Sequence, residues 1–179
     1  MHELLKLDAQ VTQRIQLSSS TSPWWKPAAL VAHSGDSWLW AIGIGLVWWF
    51  GGPFWHRFAA ILEISIVIQA LFVFVLKWLI RRRRPEGEWG GIYRQFDPHS
   101  FPSGHATRAI LLAVMAAGLG PAWFGLLMGA WAPLVCLSRV MTGLHYVSDI
   151  LGGMALGFAM GFLLIAISPL WMRLLPFLF

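Results

Sequence analysis

Basic residues able to bind an anion stand at three places in the sequence. Lys77 is followed, after six intervening residues, by the pair Arg84-Pro85, and Arg139 stands in a Ser-Arg pair much further along. A phosphate monoester carries about two negative charges near neutral pH. Two guanidiniums would give it forked contacts, and the ammonium would act as a point charge. These residues therefore indicate a site for a phosphate group, although any one of them alone could simply reach towards lipid headgroups.

A Pro-Ser-Gly-His sequence ends at His105, where an apolar segment begins. If a helix starts there, the backbone N–H groups of Ser103 and Gly104 and the helix dipole would point towards the same anion. Glycine also allows a ligand to approach the backbone closely. The alternative is that Ser103 serves only as the cap of the helix.

His145 and Asp149 are four residues apart, so on a helix they would share one face. The carboxylate could hold one ring nitrogen protonated while the other nitrogen attacks phosphorus, which is the orienting logic of a catalytic triad. A His–Asp pair at this spacing, taken by itself, is more often structural. Its position beside two phosphate-binding blocks favours catalysis.

The three blocks together resemble the signature motifs of the type 2 phosphatidic acid phosphatase family. The match runs from Lys77 to Asp149 without departure at the motif positions. That family includes bacterial membrane lipid phosphatases, such as those that act on phosphatidylglycerol phosphate and undecaprenyl diphosphate, as well as glucose-6-phosphatase and the soluble vanadium haloperoxidases.

The resemblance implies a reaction in two steps. His145 would attack the phosphoryl group to form phosphohistidine, while His105 protonates the leaving lipid oxygen and later activates water. Ser103 and Gly104 would hydrogen-bond the phosphate oxygens. Because three cations take the electrostatic role that Mg²⁺ often has, the resemblance implies no metal and no cofactor.

A metal centre is the alternative use of the same region. It would need a compact cluster of imidazole and carboxylate ligands, which we consider less suited to this pattern. The candidate ligands are Asp97, His99, His105 and His145.

Other polar side chains in the loop before His105 and just after it could recognise a headgroup or simply be solvated. These headgroup candidates are Tyr93, Arg94, His99 and Arg108.

The composition requires a membrane setting for this chemistry. Of 179 residues, 58% are hydrophobic and only 12% are charged, and 12 are tryptophan, which is far too apolar for an ordinary soluble fold. The net charge is +5, but the basic residues form no stripe on a polar domain, so nucleic acid is not expected as a partner. Arg81, Arg82 and Arg83 end an apolar segment and are predicted to snorkel to headgroups.

Five apolar segments must position the site, at 29–50, 57–80, 105–119, 122–139 and 147–168. The third is shorter than the ~20 residues of a spanning helix, which a helix starting at a buried site can tolerate. Residues 3–17 predict an amphipathic helix, either on the membrane surface or packed on protein. We therefore expect an all-α transmembrane bundle of five spans. Residues 1–22 would form a surface helix and linker, and residues 23–179 the membrane-embedded domain.

The predicted substrate is a membrane lipid with a phosphate or diphosphate headgroup, because an apolar tail suits apolar surroundings. Undecaprenyl diphosphate, phosphatidylglycerol phosphate, phosphatidic acid and lipid A phosphate are all compatible with the sequence. The predicted location is a cell membrane, as a multi-pass protein of the bacterial inner membrane. Basic residues on the active-site side favour a cytoplasmic site by the positive-inside rule, but they also suit the substrate, so the face stays open.

Three other functions use the same features. A vanadate-dependent haloperoxidase would share the pocket, but such relatives are soluble and this chain is strongly apolar. A lipid phosphotransferase would pass the phosphate from phosphohistidine to an acceptor other than water. A non-enzymatic membrane scaffold is disfavoured by the complete set of candidate catalytic residues.

Overall fold

The protein is built from α-helices. The computed structural model describes residues 2–18, 21–86, 95 and 97–179. Within those residues the one β feature is an isolated bridge between Arg83 and His99, so the all-α prediction is confirmed. The helices are α1 (His2–Ile15), α2 (Trp25–Ser34), α3 (Ser37–Phe50), α4 (Pro53–Ile80), α5 (Gly104–Leu119), α6 (Ala122–Met141), α7 (Val147–Leu174) and a short 3₁₀ helix (Pro176–Leu178).

In the described part of the chain, three helices are long and apolar enough to cross a membrane. They are α4, α6 and α7, with 28, 20 and 28 residues and mean hydropathies of 2.5, 1.5 and 2.3. Helices α3 and α5 are also apolar but have only 14 and 16 residues. The short third segment predicted from the sequence is α5, which begins at the functional motif as expected.

The first apolar segment, predicted as one helix over 29–50, is instead two helices. Gly35 ends α2, and Asp36 adopts an extended conformation before α3. Arg108 of α5 donates both Nε and Nη2 to the Gly35 carbonyl oxygen, which gives that carbonyl a partner outside the helix. A Cβ atom at Gly35 would lie 2.9 Å from Val135 Cγ1, so only glycine allows this close approach. The break turns Asp36 towards the start of α5.

Helix α5 lies at the centre of the bundle, packed against α6 and α7, with α4 beside it. Three glycines of α7 form the surface that meets α5. A Cβ atom would lie 2.7 Å from the Ser103 carbonyl oxygen at Gly153 and 2.6 Å from the Thr107 carbonyl oxygen at Gly157. A Cβ atom at Gly161 would similarly lie 2.8 Å from Val114. Small residues at a spacing of four let helix backbones approach closely, and here they bring the starts of α5 and α7 together.

Helix α1 packs on the bundle with its polar face. It contacts α6 and α7, and Thr12 is only 1% exposed. Leu4 and Leu7, on the other face, are 71% and 56% exposed. The amphipathic helix predicted from the sequence is therefore present, with its polar face packed on protein and leucines exposed on the other face. Its position on a membrane surface stays a prediction.

Candidate active site

The ends of the helices bring the motif residues to one end of the bundle. Lys77 lies in the last turn of α4, Gly104 begins α5, and Arg139 lies in the last turn of α6. His145 precedes α7, and Asp149 lies in its first turn. The five-span interpretation placed these residues on one side for the same topological reason, because two crossings separate the two motif-bearing loops.

His145 is buried between a cation and a carboxylate. Its side chain is 1% exposed; Nε2 lies 3.1 Å from Arg84 Nη1, and Nδ1 lies 3.5 Å from Asp149 Oδ2. Burial lowers the pKa of His145 well below its usual value, and the nearby charges of Arg84, Arg139 and Lys77 lower it further. The imidazole is therefore neutral near pH 7, which leaves one ring nitrogen with a free electron pair.

The pairing of His145 with Asp149 differs from the prediction in one respect. The two residues do not share a helix, because α7 begins at Val147 and Tyr146 is extended. The Asp149 side chain turns back instead, and its Oδ2 atom accepts a hydrogen bond of 2.9 Å from the Tyr146 backbone N–H. The same carboxylate thus caps the helix and faces the histidine ring.

Two of the predicted phosphate-binding cations meet on one carboxylate. Arg84 donates from Nη2 to Asp97 Oδ2 at 2.8 Å, and Lys77 donates to the same oxygen. Arg84 is further fixed by the backbone oxygen atoms of Asp97 and Leu144, at 2.8 and 2.9 Å. The pair can therefore hold one anionic group between them. The sequence made Asp97 a candidate metal ligand and did not link it to these cations, since an acid in a polar loop carries no distinctive signal.

His105 has a carboxylate partner that its motif does not contain. Its Nε2 atom lies 2.7 Å from Asp36 Oδ1, and Asp36 Oδ2 lies 2.9 Å from His33 Nδ1. In the sequence, His33 and Asp36 stand three residues apart near the start of the first apolar segment. The break at Gly35 that brings them to His105 has no sequence signal beyond the glycine itself.

Ser103 is the N-cap of α5, as the simpler alternative had it. Its hydroxyl oxygen accepts from the Ala106 N–H at 3.4 Å, and its own N–H donates to the Asp149 carbonyl oxygen at 3.1 Å. Its contact with phosphate oxygens, like that of Gly104, stays a prediction. Both residues stand at the positive end of the α5 dipole.

Arg82 contradicts the prediction that it snorkels to lipid. Its side chain is 17% exposed and donates to Asp149 Oδ1 at 2.7 Å and to Asp8 Oδ2 at 2.6 Å. The guanidinium also lies 4.1 Å from the centre of the Tyr146 ring. The cause is Arg81, which takes a left-handed conformation (φ 54°) at the end of α4 and turns the next residues back over the bundle.

The predicted headgroup residues have different surroundings. Arg108 is buried and donates to Gly35 and to the Ser37 hydroxyl, at 2.7 Å for the latter. The His99 carbonyl oxygen accepts from Lys77 at 3.1 Å, and its ring packs edge-on against Trp78. Tyr93 and Arg94 lie outside the described residues. Headgroup recognition by all four stays a prediction.

A cavity of about 240 Å³ opens beside Lys77 and His105, between α3, α4 and α5. Lys77, Asp97 and His105 line its polar part, while Val73 and Phe74 of α4 line its apolar part. The cavity can therefore accept a group that is anionic at one end and apolar at the other.

The fold and the site define the class of protein: an all-helical, membrane-type bundle with a buried histidine among cations. A family model then identifies the family. The PAP2 superfamily model matches residues 58–173, and the chain belongs to this superfamily. The matched region contains every motif residue from Lys77 to Asp149.

Curated relatives that the chain resembles are named as phosphatases. It is 37% identical over 101 residues to a decaprenylphosphoryl-5-phosphoribose phosphatase of Mycobacterium tuberculosis, covering 54% of this chain and 53% of the relative. It is 34% identical over 111 residues to an undecaprenyl-diphosphatase of Sulfolobus acidocaldarius, covering 60% and 53%. It is 30% identical over 151 residues to a lipid A 1-phosphatase of Rhizobium etli, covering 72% and 64%. The chain thus spans between about half and two thirds of these relatives.

Two solved structures share the fold. A PAP2-type phosphatidylglycerolphosphate phosphatase from Bacillus subtilis superposes with a TM-score of 0.77 at 25% identity, covering 94% of this chain and 88% of that one. LpxE from Aquifex aeolicus superposes with a TM-score of 0.69 at 19% identity, covering 88% and 93%. The helical bundle is therefore that of known membrane members of the superfamily.

Proposed function

We propose that this protein is an integral-membrane lipid phosphatase that forms a phosphohistidine on His145 and uses no metal. The observation that carries the proposal is the buried, neutral His145 ring held between Arg84 and Asp149. A neutral imidazole is a nucleophile, and the cations around it suit the phosphate it would attack. The phosphatase names of the relatives support the same reaction class.

In the first step, His145 Nε2 attacks phosphorus while the bond from phosphorus to the lipid oxygen breaks. Asp149 faces Nδ1 at 3.5 Å and stabilises the positive charge that develops on the ring. Lys77, Arg84 and Arg139 offset the charge on the phosphoryl oxygens. For the phosphate to reach Lys77 and Arg84, it must share them with the Asp97 carboxylate or displace it.

His105 supplies the proton that the leaving oxygen needs. Asp36 accepts from Nε2, so the ring must enter this step protonated on both nitrogens, and the proton that it gives up comes from Nδ1. In the second step the same nitrogen takes a proton from water, the oxygen of that water attacks phosphorus, and the bond to His145 breaks. Inorganic phosphate leaves, and both histidines return to their starting states.

The substrate class is a lipid with a terminal phosphate or diphosphate. The cavity beside His105 is polar at Lys77 and apolar along α4, which suits a headgroup at the membrane surface and a chain in the bilayer. The names of the relatives described above, and of the Bacillus subtilis neighbour, refer to lipid substrates of this kind.

We place the protein in the inner membrane of a bacterium as a multi-pass protein. Helices α3 to α7 would form the five spans, with α3 and α5 reaching part of the depth alone. Residues 1–22 would form the interfacial segment and residues 23–179 the membrane domain. The exposed leucines of α1 support this division.

Phosphate release by the purified protein in excess EDTA tests the proposal. We expect release from at least one lipid in a panel of phosphates and diphosphates, and no release by a folded His145→Ala variant. Added glycerol would reveal a transferase if glycerol phosphate formed in place of inorganic phosphate. Absence of release from every lipid by folded protein, or loss of release in EDTA, would refute the metal-free hydrolase.

A further inference from the structure

Helix α1 and the residues just after it contact the turn that carries His145 from both of its sides. After the turn, Thr12 Oγ1 accepts from the Val147 N–H at 3.2 Å and Asp8 Oδ1 accepts from the Ser148 N–H at 3.1 Å. Before the turn, the Leu17 N–H donates to the Met141 carbonyl oxygen at 2.8 Å. The segment that holds the proposed nucleophile is therefore bracketed by α1 and the residues that directly follow it.

The contacts after the turn act as a helix cap supplied by another helix. The first N–H groups of an α-helix have no partner within it, and a side-chain oxygen normally satisfies them. In α7 the first two such groups belong to Val147 and Ser148, and both bond to α1. Asp8 also brings a negative charge to the positive end of the α7 dipole, which stabilises the start of that helix.

A line of charges connects Asp8 with the nucleophile. Asp8 Oδ2 pairs with Arg82 at 2.6 Å, Arg82 pairs with Asp149 Oδ1 at 2.7 Å, and Asp149 Oδ2 faces His145 at 3.5 Å. The Asp8 and Arg82 side chains are only 12% and 17% exposed, and Asp149 is fully buried. Each pair is shielded from water, so each charge acts strongly on its neighbour.

Asp8 is charged in this setting. Burial raises the pKa of Asp8, but hydrogen bonds from Ser148 and Arg82 outweigh it and hold the pKa below its usual value. Without Asp8, the whole Arg82 charge would act on Asp149. That carboxylate would then be a poorer partner for the His145 ring and would be free to shift with the start of α7.

We propose that Asp8 is a positioning residue of the active site, which holds Asp149 and the His145 ring through Arg82 and the start of α7. Asp8 touches no reacting atom. This inference rests on the proposed function of His145, and it makes α1 part of the enzyme's working structure as well as a surface helix.

The test replaces Asp8 with alanine in the full chain, with Glu3→Ala as the matched control. Glu3 lies on the same helix, and its side chain is 88% exposed beside Lys6. We expect Asp8→Ala to lower kcat by about tenfold to a hundredfold, as a small misplacement of a reacting group can, with KM changed by less than about twofold. Glu3→Ala should behave as the wild-type protein.

The Asp8→Asn variant separates the two contacts. It keeps an oxygen for the Ser148 N–H but loses the ion pair with Arg82, so its kcat should fall between the wild-type and alanine values. In an Arg82→Gln background, the further change Asp8→Asn should cost little, because the path through Arg82 is already broken. If Asp8→Ala does not fold, the single Asp8→Asn variant still tests the inference.

Hydrogen–deuterium exchange over residues 145–150 gives a readout that needs no substrate. Asp8→Ala should speed exchange there, and Glu3→Ala should not. Unchanged exchange and unchanged kcat in folded Asp8→Ala protein would overturn the inference. Faster exchange in a protein whose wild-type form hydrolyses no lipid would support the contact and count against the proposed function.

Discussion

At the scale of single residues, the candidate site keeps the His145 ring neutral among several cations. The same cations that would bind the substrate, Arg84, Arg139 and Lys77, lower the pKa of His145, and burial contributes most. The same three cations would therefore bind the phosphate and keep the His145 ring neutral. The cations that keep the proposed nucleophile unprotonated are the same ones whose field would attract a dianion.

This arrangement predicts how His145 titrates. Because its pKa is lowered, the ring should stay neutral as the pH falls through about 6.5, the usual value for histidine, and gain a proton only well below it. Ring nitrogen NMR of labelled protein would report this, with His145→Asn to assign the signal. Arg139→Gln should move the titration to higher pH. A ring that titrates at or above the usual value would contradict the description of the site.

Sequence reasoning found the motif residues but not the residues that hold them. Lys77, Arg84, Arg139, His145 and Asp149 are recognisable by type and spacing. Asp36, Arg82 and Asp8 are not, because an acid near the start of a span, an arginine after a span and an acid on an amphipathic helix each have an ordinary explanation. Only the fold brings each of them within 3 Å of a partner in the site.

At the scale of elements, the break between α2 and α3 gives His105 its partner. The Gly35 carbonyl oxygen accepts from Arg108, and Asp36 follows in an extended conformation that reaches His105. In a continuous helix over the predicted segment, Asp36 would have had a helical backbone instead of the extended one that lets it reach His105. The hydropathy of the segment is the same in either case, so the sequence did not reveal the break.

Asp36 should therefore matter for proton transfer. In Asp36→Asn protein we expect kcat on a lipid phosphate to fall by about a hundredfold, the lower end of what a general acid contributes. An aryl phosphate, whose leaving oxygen needs little protonation, should form the phosphoenzyme at a rate much closer to wild type. Rapid-quench measurements on both substrates check this. Equal losses for the two leaving groups would argue against a role in proton transfer.

The close packing of α5 on α7 makes a second prediction for the elements. A Cβ atom at Gly157 would lie 2.6 Å from the Thr107 backbone oxygen, so Gly157→Ala should force the helices apart and cost about 1–3 kcal/mol, as overpacking does. Thermal unfolding in detergent would measure it. Gly129→Ala in α6 is the control, since a Cβ atom there meets nothing within 4 Å. Equal stability of the two variants would contradict the packing described.

At the scale of the whole molecule, apolar segments and polar loops were enough to predict the helical bundle and the single end at which the site lies. The superposed Bacillus subtilis structure agrees with the predicted bundle. The docking of α1 was not predictable, because an amphipathic pattern fixes which residues share a face but not which face meets protein. In this fold the polar face carries Asp8 and Thr12 to the catalytic turn.

The central claim is that the phosphate passes through His145 on its way to water. The stereochemical course at phosphorus tests it most directly, using a lipid thiophosphate made chiral with oxygen isotopes and hydrolysed in isotopically labelled water. Each in-line displacement inverts phosphorus, so two successive displacements predict retention of configuration in the released thiophosphate. Inversion would mean a single direct attack by water and would contradict the phosphohistidine mechanism.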